Sequence, residues 1–442
     1  MIHLIFFLLS TYILSVTSLP TSSTKHNLPG RFVPYSQLST CPSLPHKDPP
    51  KNAKDVRPDD FKVIMAMGDS ITAGLLARGS RNDLVSSIQI QEAAATGMGI
   101  GIGVGIGTDK QYHFEIEGKE DYLRKIIPEI AEWRGLSYSI GSDDDSITIP
   151  NILKHYNRNV SGTSTGHHSP ISCLGTGWDI GCSNHPKEDG LNAAISGSLS
   201  AGLMSQVKDY LIPQILELQL EDKDWKYVNL GIGANDVCAF CLTPNATAFP
   251  LSGTPKQFAS NIKDAINELR KHVPNMIVNI IGLFKVSDIY ELTMKDPYCQ
   301  PPYIPIPNLA LECSCALLPG PAGDFTRSKM DELGENYDLA VLEIIKEWED
   351  ENDPSFGAVW QPGTAIDLIN YPPESLSKID CFHPSELSHQ RVATGFWNRL
   401  TLNMEEKYTP IPWEDDPSVR CLKADDRIQV GQVTEYLKRG IK

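Results

Sequence analysis

Basic side chains and long apolar runs are scarce in this sequence of 442 residues. It contains 39 Lys and Arg against 55 Asp and Glu, which gives a formal net charge of −16 at pH 7. Because such a chain repels phosphates, this balance argues against a nucleic-acid partner and a polybasic membrane anchor, but not against a neutral or zwitterionic lipid. Beyond the N-terminus, no run approaches the ~18 apolar residues of a membrane span. We therefore expect no nucleic-acid partner and no integral membrane segment in the mature chain.

Motifs that indicate a cofactor or a catalytic metal are also missing. The stretch 97–107 places Gly at every second position, so it never gives the G-x-G-x-x-G spacing that cradles a phosphate. Neither a Walker A lysine nor an H-E-x-x-H motif is found, and we expect no cofactor and no metal. We interpret about residues 79–129 as a Gly-rich insertion, which is either a flexible surface excursion or an error in the gene prediction.

The N-terminal segment suggests a secreted protein. Residues 4–16 are apolar but too short to span a bilayer comfortably, and small residues suited to signal peptidase follow at 16–18. We interpret residues 1–18 as a signal peptide, with an uncleaved anchor as the alternative, and expect a secreted, extracellular protein. Asn159 and Asn245 lie in N-x-S/T sequons, which secretion would make available for glycosylation.

Ten cysteines fit an oxidising compartment. Their number is even, and several lie in Pro- and Gly-rich stretches where disulfides would tie loops together. Cys238 and Cys241 form a C-x-x-C pair, which a metal or redox site would also use. Since no second pair follows at zinc spacing, disulfides are favoured, and the pairing stays open.

Short apolar segments alternate with amphipathic ones from residue 61 onward. Strands are predicted at Phe61–Met67, Ser137–Ile140, Trp225–Gly233, Met276–Leu283 and Gly357–Gln361. Helices are predicted at 198–219, with a kink at Pro213, and at 254–273, 327–352 and 384–403. This alternation indicates an α/β fold with a parallel sheet covered by helices on both faces, in which ligands bind beyond the carboxyl ends of the strands. Around the main domain, 56–405, we place an irregular N-terminal arm, 19–55, and a C-terminal extension, 406–442.

Four short polar stretches interrupt this apolar pattern. Ser70 ends a Gly-Asp-Ser turn directly after the first strand, and Asn235 follows a later strand. Gly197 lies in the stretch LNAAISGS, and Asp380 precedes His383 by three residues in DCFHP. Singly, each favours a turn, a cap or a loop residue. Together, a serine, an Asp–His pair able to meet within one turn, and hydrogen-bond donors are the parts that acyl transfer requires.

These stretches, in this order, resemble the SGNH or GDSL-type hydrolases, and specifically their phospholipase B branch. The resemblance is carried by RPDDFKVIMAMGDSITAG, EWRGLSYSIG, TIPNIL, LNAAISGS, GIGANDVCAFC and DCFHPSELSHQ. It runs from about Cys41 to Cys421. It implies a three-layer α/β/α, flavodoxin-like fold with a central parallel sheet.

The resemblance also implies a role for each site residue. Ser70 would be the nucleophile, His383 the general base, and Asp380 the carboxylate that orients this base. The Ser70 N–H, the Gly197 N–H and the Asn235 side-chain amide would form the oxyanion hole. Thr72 stands where the G-x-S-x-G elbow of the α/β-hydrolases has its second Gly, so this is a different nucleophile turn.

For other polar residues near these motifs we predict supporting or surface positions. Asp69 and Asp236 are interpreted as shaping the two turns that follow the strands. His167, His168 and His389 have no Asp three residues upstream, and we predict that they lie at the surface.

The implied function is that of a secreted serine esterase acting on phospholipids and lysophospholipids, which touches a lipid interface transiently. An acetyl esterase acting on polysaccharide is an alternative, because other SGNH branches use the same site. A secreted binding protein that has lost catalysis is a second alternative. All five site positions are filled, which disfavours the second alternative, while the insertion close to Ser70 keeps it open.

Overall fold

The computed structural model describes residues 28–78, 131–170, 184–218, 220–242, 253–296, 299 and 313–438. The predicted signal peptide, the Gly-rich insertion and the Asn245 sequon lie outside these residues. Within the described ranges, no helix has both the length and the apolar character needed to cross a bilayer.

Four parallel strands form the central sheet, and a two-stranded ribbon lies apart from it. The strands are β1 (Phe32–Pro34), β2 (Phe61–Gly68), β3 (Trp225–Gly231), β4 (Met276–Ile281), β5 (Phe356–Gln361) and β6 (Ser418–Arg420). The sheet has the order β2-β3-β4-β5. Its strands are almost entirely buried, as strands covered on both faces must be.

The carboxyl ends of the four sheet strands lie at one level. Gly68 pairs with Gly231, Gly231 with Ile281, and Ile281 with Gln361. The loops that leave these strands therefore emerge along one edge of the sheet. This register explains how side chains far apart in sequence reach a common site.

The predicted strand at Ser137–Ile140 is wrong. A 3-10 helix, Arg134–Leu136, precedes it, and the N–H groups of Ile140 and Gly141 both donate to the Ser137 carbonyl. The segment is therefore a turn whose apolar side chains are buried against the core. The short, largely apolar character of the segment had led to the prediction of a strand.

The helices cover the sheet and supply its connections. They are α1 (Ser70–Ala73), α2 (Ile149–Lys154), α3 (Pro186–Asp189), α4 (Leu203–Ser205), α5 (Ile212–Glu217), α6 (Ala234–Cys238), α7 (Pro255–Arg270), α8 (Val286–Thr293), α9 (Gly320–Glu351), α10 (Glu386–Arg399), α11 (Met404–Lys407) and α12 (Val433–Lys438). The fold is the expected three-layer α/β/α arrangement around a parallel sheet.

Two of the predicted helices show how local sequence sets their boundaries. Helix α7 begins where predicted, because the Thr254 hydroxyl accepts from the Gln257 N–H at 3.2 Å and Pro255 occupies the first turn. At 198–219 the predicted kink takes the form of a π-helical turn, Gln206–Leu211, which ends two residues before Pro213. Proline lacks the N–H that would continue the regular hydrogen-bond ladder.

The N-terminal arm and the C-terminal extension form one unit. Strand β1 pairs with β6 in antiparallel fashion, with Val33 opposite Val419. A disulfide joins Cys41 to Cys421 close by. From residue 28 onward, the arm is therefore not wholly irregular, because burial of both valines orders it as a strand.

Two further disulfides lie nearer the carboxyl edge of the sheet. They join Cys238 to Cys313 and Cys299 to Cys381. No free cysteine is found in the described part of the chain. Cys238 thus pairs with a distant cysteine rather than with its C-x-x-C neighbour.

Candidate active site

The turn between β2 and α1 presents Ser70 at the edge of the sheet. Gly68 has a φ of +153°, and a Cβ there would lie 2.1 Å from the Gly231 carbonyl oxygen, so only glycine fits. Asp69 caps α1, since its Oδ1 accepts from the Ile71 N–H at 3.0 Å. Strand β2 therefore ends at Gly68, and Ser70, two residues later, begins helix α1.

Ser70, His383 and Asp380 form a continuous hydrogen-bonded chain. The Nε2 of His383 lies 2.8 Å from the Ser70 Oγ, and its Nδ1 bonds the Asp380 Oδ2. The three residues are only 6%, 3% and 6% exposed, in that order. An imidazole held in this way can take the hydroxyl proton during attack on a carbonyl carbon, while the carboxylate stabilises the resulting imidazolium.

Local backbone contacts hold the loop that carries Asp380 and His383. The Asp380 Oδ1 accepts from the N–H groups of Phe382 and His383, at 3.0 and 3.1 Å. Cys381 has a φ of +54°, a conformation that non-glycine residues seldom adopt, and it is linked to Cys299. This tight turn folds the carboxylate back toward the ring.

The loop that carries Gly197 lies beside the end of β2. The Ile195 N–H donates to the Gly68 carbonyl at 3.2 Å, which brings this loop to the nucleophile turn. Gly197 has a φ of +80°, which gives a conformational reason for glycine here. Within the described residues, no hydrogen bond from the N–H group of Gly197 or of Ser70 is found.

The Asn235 side chain completes the group of candidate donors. One of its two amide hydrogens bonds the Ser198 carbonyl at 3.0 Å, which leaves the second for a substrate. Asp236 anchors the same helix start, because its carboxylate accepts from the N–H and the hydroxyl of Ser200 at 2.9 and 2.7 Å. Burial raises the pKa of Asp236 to about 6, against the opposing effect of these hydrogen bonds.

Asp69 is the second buried carboxyl beside the candidate site. Burial raises its pKa to about 7, opposed by the hydrogen bond from Ile71 and by the charge of His383. Its oxygen is used as a helix cap, away from the imidazole contacts. The structure thus gives it the supporting position that the sequence indicated.

Gln206 holds the nucleophile turn and was missed by the sequence reasoning. Its amide nitrogen donates to the Gly68 carbonyl at 2.7 Å, and its amide oxygen accepts from the Gly68 N–H at 2.9 Å. The available signal was its spacing, three residues after Leu203 on the apolar face of a predicted helix. A buried glutamine at such a place requires polar partners.

A buried ionic cluster lies under the Gly197 loop and was also missed. Arg134 contacts Glu132 at 2.6 Å, Asp189 at 3.3 Å and the Ala194 carbonyl at 2.9 Å. The other Glu132 oxygen accepts from the Ser196 hydroxyl. The three charged side chains are fully buried, so their mutual pairing fixes the loop. The sequence offered a charged pair in EWRG but no sign of its burial.

The predicted surface position is wrong for two of the three histidines. His389 is 1% exposed, with its Nδ1 accepting from the Tyr138 N–H at 3.2 Å, and burial lowers its pKa to about 3. The His168 side chain is also largely buried and lies 2.8 Å from the Asp189 carboxylate. His167 is exposed as predicted. The pattern of motifs carries no information about which helix face another element covers.

An apolar cavity borders the triad at the carboxyl ends of the sheet strands. It is partly open to solvent, and Ile71 and His383 lie on its wall. Its remaining lining is mainly apolar and includes Ile232, Leu283, Phe284, Ile289, Phe382 and Val392. Among the residues described, no group of three or more His, Cys, Asp and Glu side chains is placed to hold a metal ion.

Comparison with known proteins gives one family and several relatives. The profile of the family described as GDSL-like Lipase/Acylhydrolase matches residues 64–396. Membrane-associated phospholipase B1 of Mus musculus is 25% identical over 390 residues, which cover 86% of this chain and 22% of that protein. The Rattus norvegicus protein is 24% identical over 413 residues, covering 91% and 24%. The Homo sapiens protein is 25% identical over 397 residues, covering 85% and 22%.

The chain thus spans less than a quarter of the length of these relatives. Among solved structures, a mutant of Axe2, an acetyl-xylooligosaccharide esterase of Geobacillus, is 15% identical with a TM-score of 0.31, covering 76% of this chain and 92% of that one. A catalytic mutant of the same enzyme is 14% identical with a TM-score of 0.31, covering 80% and 95%. Similarity at this level does not bear on the substrate.

Proposed function

The chain belongs to the family of GDSL-like lipases and acylhydrolases and is a carboxylic ester hydrolase; from this premise we propose that it releases acyl chains from phospholipids and lysophospholipids. We further propose Ser70 as the nucleophile, His383 as the general base and Asp380 as its partner. The oxyanion donors are the N–H groups of Ser70 and Gly197 and the amide of Asn235.

One observation carries the catalytic assignment. The Ser70 Oγ lies 2.8 Å from His383 Nε2, and the opposite ring nitrogen bonds Asp380. As Oγ attacks the ester carbonyl carbon, its proton moves to Nε2 and the carbonyl oxygen becomes an oxyanion. The tetrahedral adduct then expels the alcohol oxygen, which takes the proton from Nε2. Water, deprotonated by the same Nε2, attacks the acyl-serine; as the bond from the acyl carbon to Oγ breaks, Oγ takes the proton back from Nε2 and the fatty acid is released.

The apolar cavity supports a long acyl chain rather than an acetyl group. Burial of a hydrocarbon chain contributes about 0.8 kcal/mol for each methylene, so a cavity of this kind favours a lipid substrate. Ile71 and Phe382, which line the cavity, are the sequence neighbours of Ser70 and His383, and this supports its use as the acyl-chain site.

An extracellular location is also part of the proposal. Three disulfides join described cysteines, as in proteins of oxidising compartments. The Asn159 sequon lies on an exposed turn and is accessible to glycosylation. We propose that the enzyme meets lipid only transiently, at the surface of a micelle or membrane.

Purified chain should therefore release fatty acid from phosphatidylcholine and lysophosphatidylcholine and should react with a fluorophosphonate. Ser70→Ala should abolish both, whereas Ser205→Ala, which changes an exposed serine, should keep both. Release of acetate from acetylated xylan without release of fatty acid would support the acetyl esterase instead. Absence of labelling in folded wild-type chain would support a binding protein without catalysis.

A further inference from the structure

A short segment that follows α8 is tied at two points to the loop at residues 377–383. Cys299 forms a disulfide with Cys381, and both cysteines are buried. Three residues before each cysteine, the Asp296 carboxylate forms an ion pair with the Lys378 ammonium group. Two neighbouring ties, one covalent and one ionic, thus join the same two stretches of the chain.

Helix α8 gives these ties a fixed support. The Asp296 N–H donates to the Thr293 carbonyl at 3.2 Å, and the Cys299 N–H donates to the Asp296 carbonyl at 2.9 Å, so successive turns lead from the end of the helix to the disulfide. The helix packs against α9, and its Leu292 side chain is fully buried. The segment is therefore anchored to the core of the domain.

The hydrogen bonds within loop 377–383 fix its shape rather than its place. The Ser377 N–H donates to the His383 carbonyl at 2.8 Å, and the Cys381 N–H donates to the Ser377 carbonyl at 2.9 Å. The place of the loop relative to the proposed nucleophile depends on contacts with other elements. One contact lies at the start of α10, where the Glu386 N–H donates to the Ala77 carbonyl at 2.7 Å. The ties to α8 hold the loop from another side.

The backbone of Cys381 is in a conformation that needs such support. Its φ is +54°, a region that residues with a Cβ seldom occupy and that persists where the surrounding structure holds it. Cys381 stands between Asp380 and His383 in the chain. A change of this φ to a negative value would rotate the carboxylate away from the ring that it contacts. The disulfide is attached at the residue where this rotation would occur.

We propose that the ties from α8 position the imidazole for proton transfer, with Cys381 as a positioning residue and the pair of Lys378 and Asp296 as a weaker support. The ion pair ranks second because both side chains are partly exposed, and such pairs contribute little. The inference rests on the proposed function, because it takes His383 as the general base. It goes beyond that function by assigning to one of the described disulfides a role in the reaction.

The test compares two chains that each lack one disulfide. Cys299→Ala with Cys381→Ala should lower kcat on lysophosphatidylcholine by about 100-fold, the usual effect of displacing a catalytic group by about 1 Å, with little change in KM. The control is Cys41→Ala with Cys421→Ala. It removes a crosslink between residues 380 apart in sequence, rather than 82 apart, and should lower Tm at least as much but leave kcat unchanged. All assays are run below the unfolding range of every variant.

A rescue variant separates positioning from general stability. Asn adopts a positive φ several-fold more readily than other residues with a Cβ. Cys299→Ala with Cys381→Asn should therefore recover several-fold of the kcat that the double Ala variant loses. A merely structural role of the disulfide would give the two variants the same kcat in their folded states.

The ion pair gives a second test that keeps every disulfide, and it decides the matter if the double Ala variant does not fold. Lys378→Met should lower kcat by about two- to fivefold, as expected for a partly exposed pair. Exchange of the two charges, Lys378→Asp with Asp296→Lys, should restore most of the loss. An unchanged kcat in Lys378→Met would overturn the role of this pair and, without a folded double Ala variant, the whole inference.

The remaining outcomes are distinct. Wild-type kcat in the folded Cys299→Ala, Cys381→Ala chain would overturn the inference and leave the proposed function standing. Equal kcat in the Ala and Asn variants, or an equal loss of kcat in the Cys41→Ala, Cys421→Ala control, would also overturn it. Folded wild-type chain that neither releases fatty acid nor reacts with a fluorophosphonate would overturn the proposed function and this inference together.

Discussion

Two loops carry the proposed catalytic residues: the triad loop, residues 377–383, and the oxyanion loop, residues 192–198. They are held in place by different kinds of interaction. In the triad loop, Asp380 bonds the ring and the backbone N–H of a residue only three positions away. The oxyanion loop instead depends on Arg134, which reaches across the fold to the Ala194 carbonyl, and on Glu132, which accepts from Ser196. The carboxylate and ring of the triad loop are thus organised by near neighbours in sequence, with the disulfide to Cys299 as a distant tie, whereas the oxyanion loop depends on buried charges from a distant segment.

This difference implies that the two loops respond differently to substitution. A substitution within the triad loop should disrupt proton transfer but leave the fold intact, because the charged group of this loop, the Asp380 carboxylate, lies beside the candidate site. A change in the ionic cluster should leave a buried charge without its partner, and this is costly for the whole domain. Substitutions can therefore separate the chemical contribution of each loop from its structural contribution.

Asp380→Asn should have the largest effect on the reaction. The amide can no longer stabilise the imidazolium or favour the ring tautomer that accepts the serine proton, and we expect kcat to fall by about 10⁴-fold. Steady-state kinetics on lysophosphatidylcholine, with thermal unfolding as the check on the fold, measures this. Asp209→Asn, at an exposed carboxyl, is the control. A decrease below about tenfold in kcat would contradict the role of Asp380.

Asn235→Ala should reduce kcat by about 10²–10³-fold, which is the usual cost of losing one oxyanion donor. The KM should change much less, because the donor acts on charge that develops in the transition state. The same kinetic assay measures both constants. A rise in KM with kcat unchanged would instead mean that Asn235 binds the ground-state substrate.

Arg134→Met should act on stability more than on chemistry. It would leave Glu132 buried without its cation and Asp189 with only His168 beside it, and breaking a buried pair in this way costs about 3–5 kcal/mol. Denaturant unfolding measures the loss. Lys346→Met, which removes an exposed ion pair with Glu343, should cost about 1 kcal/mol or less. Equal losses of unfolding free energy in the two variants would show that the buried cluster contributes no more to stability than an exposed ion pair.

The smallest effect expected is a change in the pH dependence of stability at His168. Burial disfavours its charged form, but hydrogen bonds to Asp189 and Ser169 outweigh this and raise its pKa above 6.5. Protonated His168 therefore stabilises the fold below pH ~6.5, and this contribution is lost as pH rises through the raised pKa. His168→Gln should show a weaker decline in Tm from pH 6 to pH 8 than the wild-type chain. Parallel Tm curves for the two chains would contradict this.

Short-range patterns predicted most of the sheet and the contact between Asp380 and His383. The apolar run before Gly68 predicts a buried strand, and the spacing of Asp380 and His383 predicts their contact, because each property depends on residues that are neighbours in the chain. The Ser137–Ile140 segment shows the limit of this reasoning. Its apolar residues are buried as a strand's would be, but its backbone bonds within itself.

Partners contributed by distant segments could not be predicted in the same way. Gln206 occupies an apolar helix face because the Gly68 peptide lies against it, and His389 is buried because α10 packs on the core. Neither contact produces a periodic pattern in the sequence. The pairing of Cys299 with Cys381, next to the triad, likewise depends on how two loops approach in space.

The sequence by itself determined which strands end in reactive side chains and which acid stands beside which base, since these are matters of local order and spacing. Only the tertiary structure decided which polar groups are buried and which charges meet beneath the Gly197 loop. The physical reason is that burial and pairing energies arise between surfaces brought together by folding, and residues adjacent in the chain do not specify which surfaces meet.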